Sequence, residues 1–143
     1  MHKKSKIRVL ALGMILNKNR IFVSQGYDSH KQESFYRALG GGVKFGESSY
    51  QALQREFQEE LQAELTNIKY LGCLESIFTC NGKAGHEILQ IYQADFLDPK
   101  FYQLEQVVFY EKNRQETAVW IELERFQSGE LKLVPEGFLD LVK

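Results

Sequence analysis

The sequence has little cysteine and proline, with two of each, and no apolar run approaches the roughly 20 residues that a membrane-spanning helix needs. Cys73 and Cys80 match no common zinc-site spacing, so we expect reduced thiols in a cytoplasmic protein. The formal net charge of -1 excludes the broad basic surface that binds nucleic acid nonspecifically. We therefore expect no nucleic-acid polymer and no membrane as partner, and a phosphate-bearing ligand would have to be held locally, through a metal.

The remaining composition is that of a folded domain. Apolar side chains make up 43% of the 143 residues and charged ones 26%, a balance typical of a soluble globular protein. A chain of this length buries roughly 70% of its unfolded surface around one core. Because it contains no internal repeat and no linker-like segment, we predict a single domain over residues 1–143.

Apolar runs between polar turns predict strands on both sides of one acidic helix, with a long loop and a second helix near the C-terminus. The predicted strands are Ile7–Leu16, Arg20–Gly26, an extended segment from Phe35, Leu65–Cys80, His86–Phe96 and Thr117–Leu123. The polar segment 27–34 is predicted as a surface loop, and 97–115 as a long loop with a short extended piece at 106–110. A helical turn near 124–126 and a terminal helix from Pro135 to Leu141 complete an α/β sandwich around a mixed sheet.

The stretch Gly40–Ala63, GGGVKFGESSYQALQREFQEELQA, joins a glycine-rich turn to the acidic helix. In a helix beginning near Glu47, the i, i+3, i+4 spacing of Glu56, Glu59 and Glu60 places three carboxylates on one face. The neighbouring face is apolar and would contact the core; its residues are Tyr50, Leu53, Phe57 and Leu61.

Clustered carboxylates raise one another's pKa and oppose folding unless a positive charge lies among them. A hard divalent cation such as Mg2+ or Mn2+ removes the conflict, because it prefers carboxylate and carbonyl oxygens and bridges to substrate phosphates. The alternative is a purely structural helix whose acidic face is solvated.

The stretch resembles the signature of the Nudix hydrolase family, G-x5-E-x7-R-E-U-x-E-E-x-G-U, where U is an apolar residue. Gln62 replaces the last glycine and Ala63 is a small closing residue, so we expect the helix to run longer or to leave by another route. The matching charged positions, which follow Gly41 at the family's spacing, are Glu47, Arg55, Glu56, Glu59 and Glu60.

The resemblance implies a Nudix-like α/β/α sandwich that hydrolyses a nucleoside diphosphate linked to another moiety. It implies that Glu56, Glu59 and Glu60 hold Mg2+ or Mn2+ together with a backbone carbonyl near Gly41. Arg55 would orient the site by pairing with Glu47 or Glu56, although an exposed pair with Glu59 is the simpler interpretation. Glu56 and Glu59 are both candidates for the general base.

Two further site residues are predicted outside the motif. A later loop often supplies another carboxylate in such a family, and we favour Glu116, which precedes a strand, over Glu105 and Glu111. Arg37 lies on the strand that enters the glycine turn and would contact a substrate phosphate; an exposed strand arginine is the alternative.

The substrate is less well determined than the chemistry. Thr79 and Cys80 occupy the positions where some Nudix subfamilies carry a marker proline or tyrosine, which weakens the case for ADP-ribose and dinucleoside polyphosphates. We expect a small nucleotide, with a nucleoside triphosphate as the leading class, and a homodimer is possible. The alternative function is a catalytically silent Nudix fold that binds and senses nucleotides.

Overall fold

A computed structural model describes residues 5–141 of the chain. Two α-helices lie in this range, α1 at Ser49–Leu61 and α2 at Leu123–Gln127, together with 3-10 helices at Pro99–Tyr102 and Phe138–Leu141. The strands are β1 Ile7–Met14, β2 Leu16–Asn17, β3 Arg20–Asp28, β4 Glu33–Gly42, β5 Leu65–Cys80, β6 Lys83–Phe96, β7 Gln106–Glu111, β8 Arg114–Glu122 and β9 Leu133–Val134.

The sheet is mixed, as the sequence predicts. Its seven main strands follow the order β5-β6-β1-β4-β3-β8-β7, with β1 parallel to β6 and antiparallel to β4. The first part of β4 pairs with β3 through residues 33–38, and its last part pairs with β1 through residues 39–42. Strand β4 therefore joins the two halves of the sheet and delivers the glycine-rich turn to α1.

Two buried clusters cover opposite sides of the sheet, which confirms the α/β/α sandwich. One contains Leu53 and Phe57 of α1, and the other contains Phe126 of α2 and Phe138 of the last 3-10 helix. Within the first cluster, the ring of Phe96 meets that of Phe57 at 6.0 Å between centroids, an edge-on contact that anchors the acidic helix.

Three predicted segments differ in the structure. The predicted loop 97–115 contains a 3-10 helix, and its predicted extended piece at 106–110 is strand β7, which pairs with β8 across a tight turn where Lys112 and Asn113 both have positive φ. The predicted helix from Pro135 is a 3-10 turn that begins at Phe138, because Gly137 has a φ of +89° and interrupts helical geometry. The 27–34 loop is also shorter than predicted, since β3 continues to Asp28 and β4 begins at Glu33.

Among residues 5–141, no helix has the length and apolar character needed to cross a membrane.

We expect Gly40→Ala to cost about 3 kcal/mol of unfolding free energy, because a β-carbon there would add overlap to backbone strain. Gly40 has a φ of +152°, and its β-carbon would overlap the carbonyl oxygen of Ala11 on β1. Gly46→Ala is the matched control, since Gly46 has a φ of +85° but open space around it, so strain alone should cost about 1 kcal/mol. Chemical denaturation measures the unfolding free energy of both variants. Equal losses of unfolding free energy would contradict the close approach of β4 to β1.

Candidate active site

Helix α1 is capped at both ends by its own sequence. The Ser48 hydroxyl accepts a hydrogen bond from the Gln51 N–H at 3.1 Å, and the Gln51 side chain accepts one from the Ser48 N–H at 3.0 Å. At the other end Gln62 takes the left-handed conformation, φ 53° and ψ 40°, that the motif glycine would supply. Both alternatives expected from Gln62, a longer helix and a different exit of the chain, are therefore wrong, and α1 ends at Leu61.

The acidic face of α1 lines a cavity of about 360 Å³ beside the glycine-rich end of β4. Positive side chains line the same cavity, so that a single space presents both carboxylates and cations. The carboxylates are Glu56, Glu59, Glu60 and Glu111, and the cations are Arg8, Arg37, Lys44, Arg55 and Lys112.

Arg55 joins the glycine-rich loop to the helix. Its guanidinium donates two hydrogen bonds to Glu47, at 2.8 and 3.0 Å, and one to the Gly42 carbonyl at 2.9 Å. It also donates to Glu56 at 2.9 Å and to Glu59 at 3.2 Å. Arg55 thus makes both predicted pairs as well as the simpler one with Glu59, and these charge-assisted bonds raise its pKa.

The hydrogen bonds from Arg55, followed by that from the Lys44 N–H, lower the pKa of Glu47 from 4.5 to about 2. Because the folded-state pKa lies below the unfolded one, ionised Glu47 stabilises the fold above pH 4.5, and this contribution is lost as the pH falls towards 2.

We expect the difference in unfolding free energy between the wild type and Glu47→Gln to shrink as the pH falls from 4.5 towards 2. Denaturation at a series of pH values measures this difference. Glu64→Gln, which replaces an exposed acid just beyond α1, is the control and should show little of this dependence. A difference for Glu47 that stays constant over the range would contradict the lowered pKa.

Gly41 lies directly against the carboxylate of Glu56. A β-carbon at Gly41 would overlap that carboxylate, so the absence of a side chain lets Glu56 approach the backbone of the turn. With Arg55 on its other side, the Glu56 side chain is only 17% exposed. The structure therefore places a carboxylate and the backbone of the predicted Gly41 ligand side by side.

Glu60 carries the clearest sign that negative charge is concentrated here. Burial, then the charge of Glu111 and contact with Glu56, raise the pKa of Glu60 to about 9. In the described part of the chain, no three acidic, histidine or cysteine side chains are already arranged as a metal site, since Glu56 and Glu59 turn towards Arg55. The carboxylates that line the cavity offer only oxygen atoms, which are the ligands that a hard divalent cation prefers.

The late carboxylate that reaches the cavity is Glu111, whereas the predicted Glu116 does not line it. Glu111 ends β7 and lines the cavity with Glu60, whereas Glu116 lies on β8, 3.9 Å from Arg114, and is not among the cavity residues. Glu105 does not line the cavity either. The signal that would have identified Glu111 is the two-residue Lys112-Asn113 turn, which predicts the β7–β8 hairpin.

Arg37, which is predicted to contact a substrate phosphate, lines the cavity and has a partner that the sequence analysis missed. It donates a hydrogen bond to Glu87 at 3.0 Å, and Glu87, which is 5% exposed, also lies 3.7 Å from Arg8. Two arginines share one buried carboxylate, so the three side chains together have a net positive charge beside the cavity.

Comparison with known families identifies the family of the whole domain. The sequence matches the NUDIX domain over residues 4–141. The chain belongs to the NUDIX family. As a NUDIX hydrolase it is an enzyme that cleaves pyrophosphate linkages in phosphoric anhydrides, which small nucleotides contain. A search of curated protein sequences found no match.

Solved structures share the NUDIX fold at low identity. A NUDIX hydrolase from Nitrosomonas europaea matches with a TM-score of 0.64 and 13% identity, over 96% of this chain and 86% of its own. A MutT protein from Bacillus halodurans gives 0.65 and 14% over 96% and 81%, respectively. A MutT NUDIX hydrolase from Burkholderia pseudomallei gives 0.61 and 23% over 84% and 86%.

Proposed function

We propose that this NUDIX hydrolase cleaves the pyrophosphate bond of a nucleoside diphosphate linked to another moiety, with a nucleoside triphosphate or related small nucleotide as substrate and Mg2+ or Mn2+ as cofactor. The observation that carries the proposal is one cavity of about 360 Å³ with four carboxylates and five cationic side chains on its walls. Carboxylates suit the metal and cations suit the phosphates.

The residues that would hold the metal are Glu56, Glu59 and Glu60, with the Gly41 carbonyl beside Glu56. Glu111 lies on β7, and its charge acts on Glu60. We assign to Glu111 the role of late carboxylate ligand that was first predicted for Glu116. When bound, a divalent cation polarises a phosphoryl oxygen and activates a water molecule. Arg55 keeps Glu56 oriented against the glycine-rich turn, while Glu47 holds Arg55 from the other side.

Glu59 is the stronger candidate for the general base. Its side chain is 54% exposed and has one ion-pair contact, at 3.2 Å from Arg55, whereas Glu56 is fixed at 2.9 Å and is 17% exposed. A base must reach a water molecule and accept its proton. The freedom of Glu59 allows this, and the position of Glu56 suits a ligand.

Arg37 is proposed to contact a substrate phosphate, with the charge of Arg8 beside it. Its side chain is 30% exposed and donates one hydrogen bond to Glu87, so its remaining N–H donors can face an anion. We also propose that residues 1–143 act as one domain in the cytoplasm, and the homodimer stays a prediction.

The test is hydrolysis of a panel of nucleoside triphosphates and nucleoside diphosphate derivatives, with Mg2+, with Mn2+ and with chelator. We expect a nucleoside monophosphate and a phosphate-containing product only when metal is present. The metal should also raise the melting temperature progressively with its concentration, as binding to the folded state requires. Nucleotide binding without turnover would favour the silent sensing module, and no thermal response to metal would favour a purely structural acidic helix.

A further inference from the structure

Helix α1 covers only part of the sheet face on which it packs. Along β1, the residues that point to this side are Ala11, which is buried beneath the helix, and then Val9 and Ile7, which are 39% and 58% exposed. The helix begins at Ser49, whose hydroxyl lies 2.6 Å from that of Tyr92 on β6. The strands continue past this tyrosine, and their next side chains on the same side of the sheet are exposed.

These side chains form two neighbouring rows across three strands. In the first row, Ile7 of β1 is beside His86 of β6, and His86 is beside Ile77 of β5, which is 79% exposed. Residues that are partners in register lie on the same side of a sheet, so each row is one continuous surface. The second row, nearer to α1, consists of Val9, Ile88 and Glu75.

Aromatic side chains extend this surface towards α1 and the loop that precedes it. Tyr50 at the start of α1 and Tyr70 on β5 both meet the ring of Tyr92 edge-on, at 6.2 and 5.3 Å between centroids. The loop before α1 borders β1, because the Val43 N–H donates a hydrogen bond to the Val9 carbonyl at 2.9 Å, and Phe45 in that loop is fully exposed. We define the uncovered face by its exposed apolar side chains, Ile7, Val9, Phe45, Tyr50, Tyr70 and Ile77.

The uncovered face is large for an apolar surface in contact with water. With about 200 Å² for a whole aromatic side chain, the exposed parts of its three aromatic residues amount to roughly 400 Å². Its three aliphatic side chains add to this area. A monomer rarely exposes a contiguous apolar patch of more than a few hundred Å², whereas a stable interface buries about 800 Å² on each partner. The area is therefore that of the apolar centre of a protein–protein interface.

The chemistry of the uncovered face favours a second copy of the chain as the partner. The two rows contain one acidic side chain, Glu75, and one imidazole, His86, so a strongly charged partner finds little opposite charge in them. The surface that matches is flat, apolar and nearly uncharged, and the same face on another copy has these properties. Homodimer interfaces are also more apolar than the contacts of proteins that associate transiently.

We propose that the uncovered face binds the same face of a second copy, sheet against sheet, in a two-fold homodimer. Phe45 brings the loop between β4 and α1 into the contact. It lies two residues before Glu47, which accepts two hydrogen bonds from Arg55. The second copy therefore restrains from outside the same loop that Arg55 holds from inside. This inference depends neither on the substrate nor on the metal.

Sedimentation equilibrium over a series of protein concentrations tests this inference. We expect the wild type to form dimers, and Ile7→Glu and Ile77→Glu to be monomeric at concentrations where the wild type is dimeric, because each variant buries an unpaired charge in the contact. Leu97→Glu is the matched control and should remain a dimer. Leu97 is 58% exposed, as Ile7 is, but it follows β6 at the end of the sheet away from His86. All three substitutions are at exposed positions, so circular dichroism should show folded variants.

Phe45→Ala tests the contact of the loop, and we expect it to raise the Kd of the dimer about tenfold or more, as loss of a buried aromatic side chain does in interfaces. An unchanged Kd in this variant would overturn the place of the loop in the contact. Three results would overturn the whole inference: a wild type that is monomeric at every concentration, a dimer that either glutamate variant of the face retains unchanged, or a monomeric Leu97→Glu. None of these results bears on the proposed hydrolysis, which the nucleotide panel tests separately.

Discussion

Glu59→Gln should lower kcat at saturating Mg2+ by about a hundredfold or more, because glutamine neither accepts the proton of water nor offers a charged ligand to the metal. The loss should appear in kcat more than in KM, since Glu59 is proposed to act on the water and the metal. The fold should tolerate the change, because the Glu59 side chain is 54% exposed and its ion pair with Arg55, at 3.2 Å, lies at the surface. We expect a change in unfolding free energy within about 0.5 kcal/mol, measured by denaturation without metal.

Glu64→Gln is the control for this variant, since Glu64 is an exposed acid that follows the same helix and does not line the cavity. It should keep wild-type kcat. A Glu59→Gln enzyme with unchanged turnover would show that Glu59 is neither base nor ligand. The general base would then have to be sought at Glu56.

Arg55→Lys should lower kcat/KM by about a hundredfold and the unfolding free energy by about 2 kcal/mol. Lysine keeps the charge, but its single ammonium cannot replace a planar fork that reaches Glu47, Glu56 and the Gly42 carbonyl together. Loss of these bonds frees the loop from the helix and lets Glu56 turn away from Gly41. Small displacements of this kind are costly to a reaction that depends on orientation.

Arg125→Lys is the matched control, because Arg125 also pairs with a carboxylate: its Nε–H donates a hydrogen bond to Glu130 at 2.7 Å, and its Nη2 lies 2.7 Å from the same oxygen. That pair is on the surface, with side chains 44% and 55% exposed. Arg125→Lys should therefore lower the unfolding free energy by about 0.5 kcal/mol or less. Kinetics and denaturation of the two variants compare the same Arg→Lys change at a partly buried residue and at an exposed one. Similarly small losses of activity and of unfolding free energy in both variants would show that the ion pairs of Arg55 contribute no more than an exposed surface pair does.

Most of the fold was predictable because its signals are local. Alternating and apolar runs indicated the main strands, and the mixed sheet with helices on both sides is confirmed. The extended piece at 106–110 and the last strand were predicted, but their pairing as the β7–β8 hairpin was missed because the Lys112-Asn113 turn between them was not recognised. Strand β8 pairs with β7, with Phe109 opposite Glu116, and this pairing stabilises a strand that the β7 segment would not form alone.

The sequence by itself determined the helix and the spacing that places Glu56, Glu59 and Glu60 on one face, because these follow from contacts within a few residues. The tertiary structure decided that Glu111 rather than Glu116 lies beside Glu60. It also decided that Arg37 meets Glu87, 50 residues away in the chain. Both depend on which strands pair and in what register, and a one-residue change of register reverses the side on which every side chain of a strand lies.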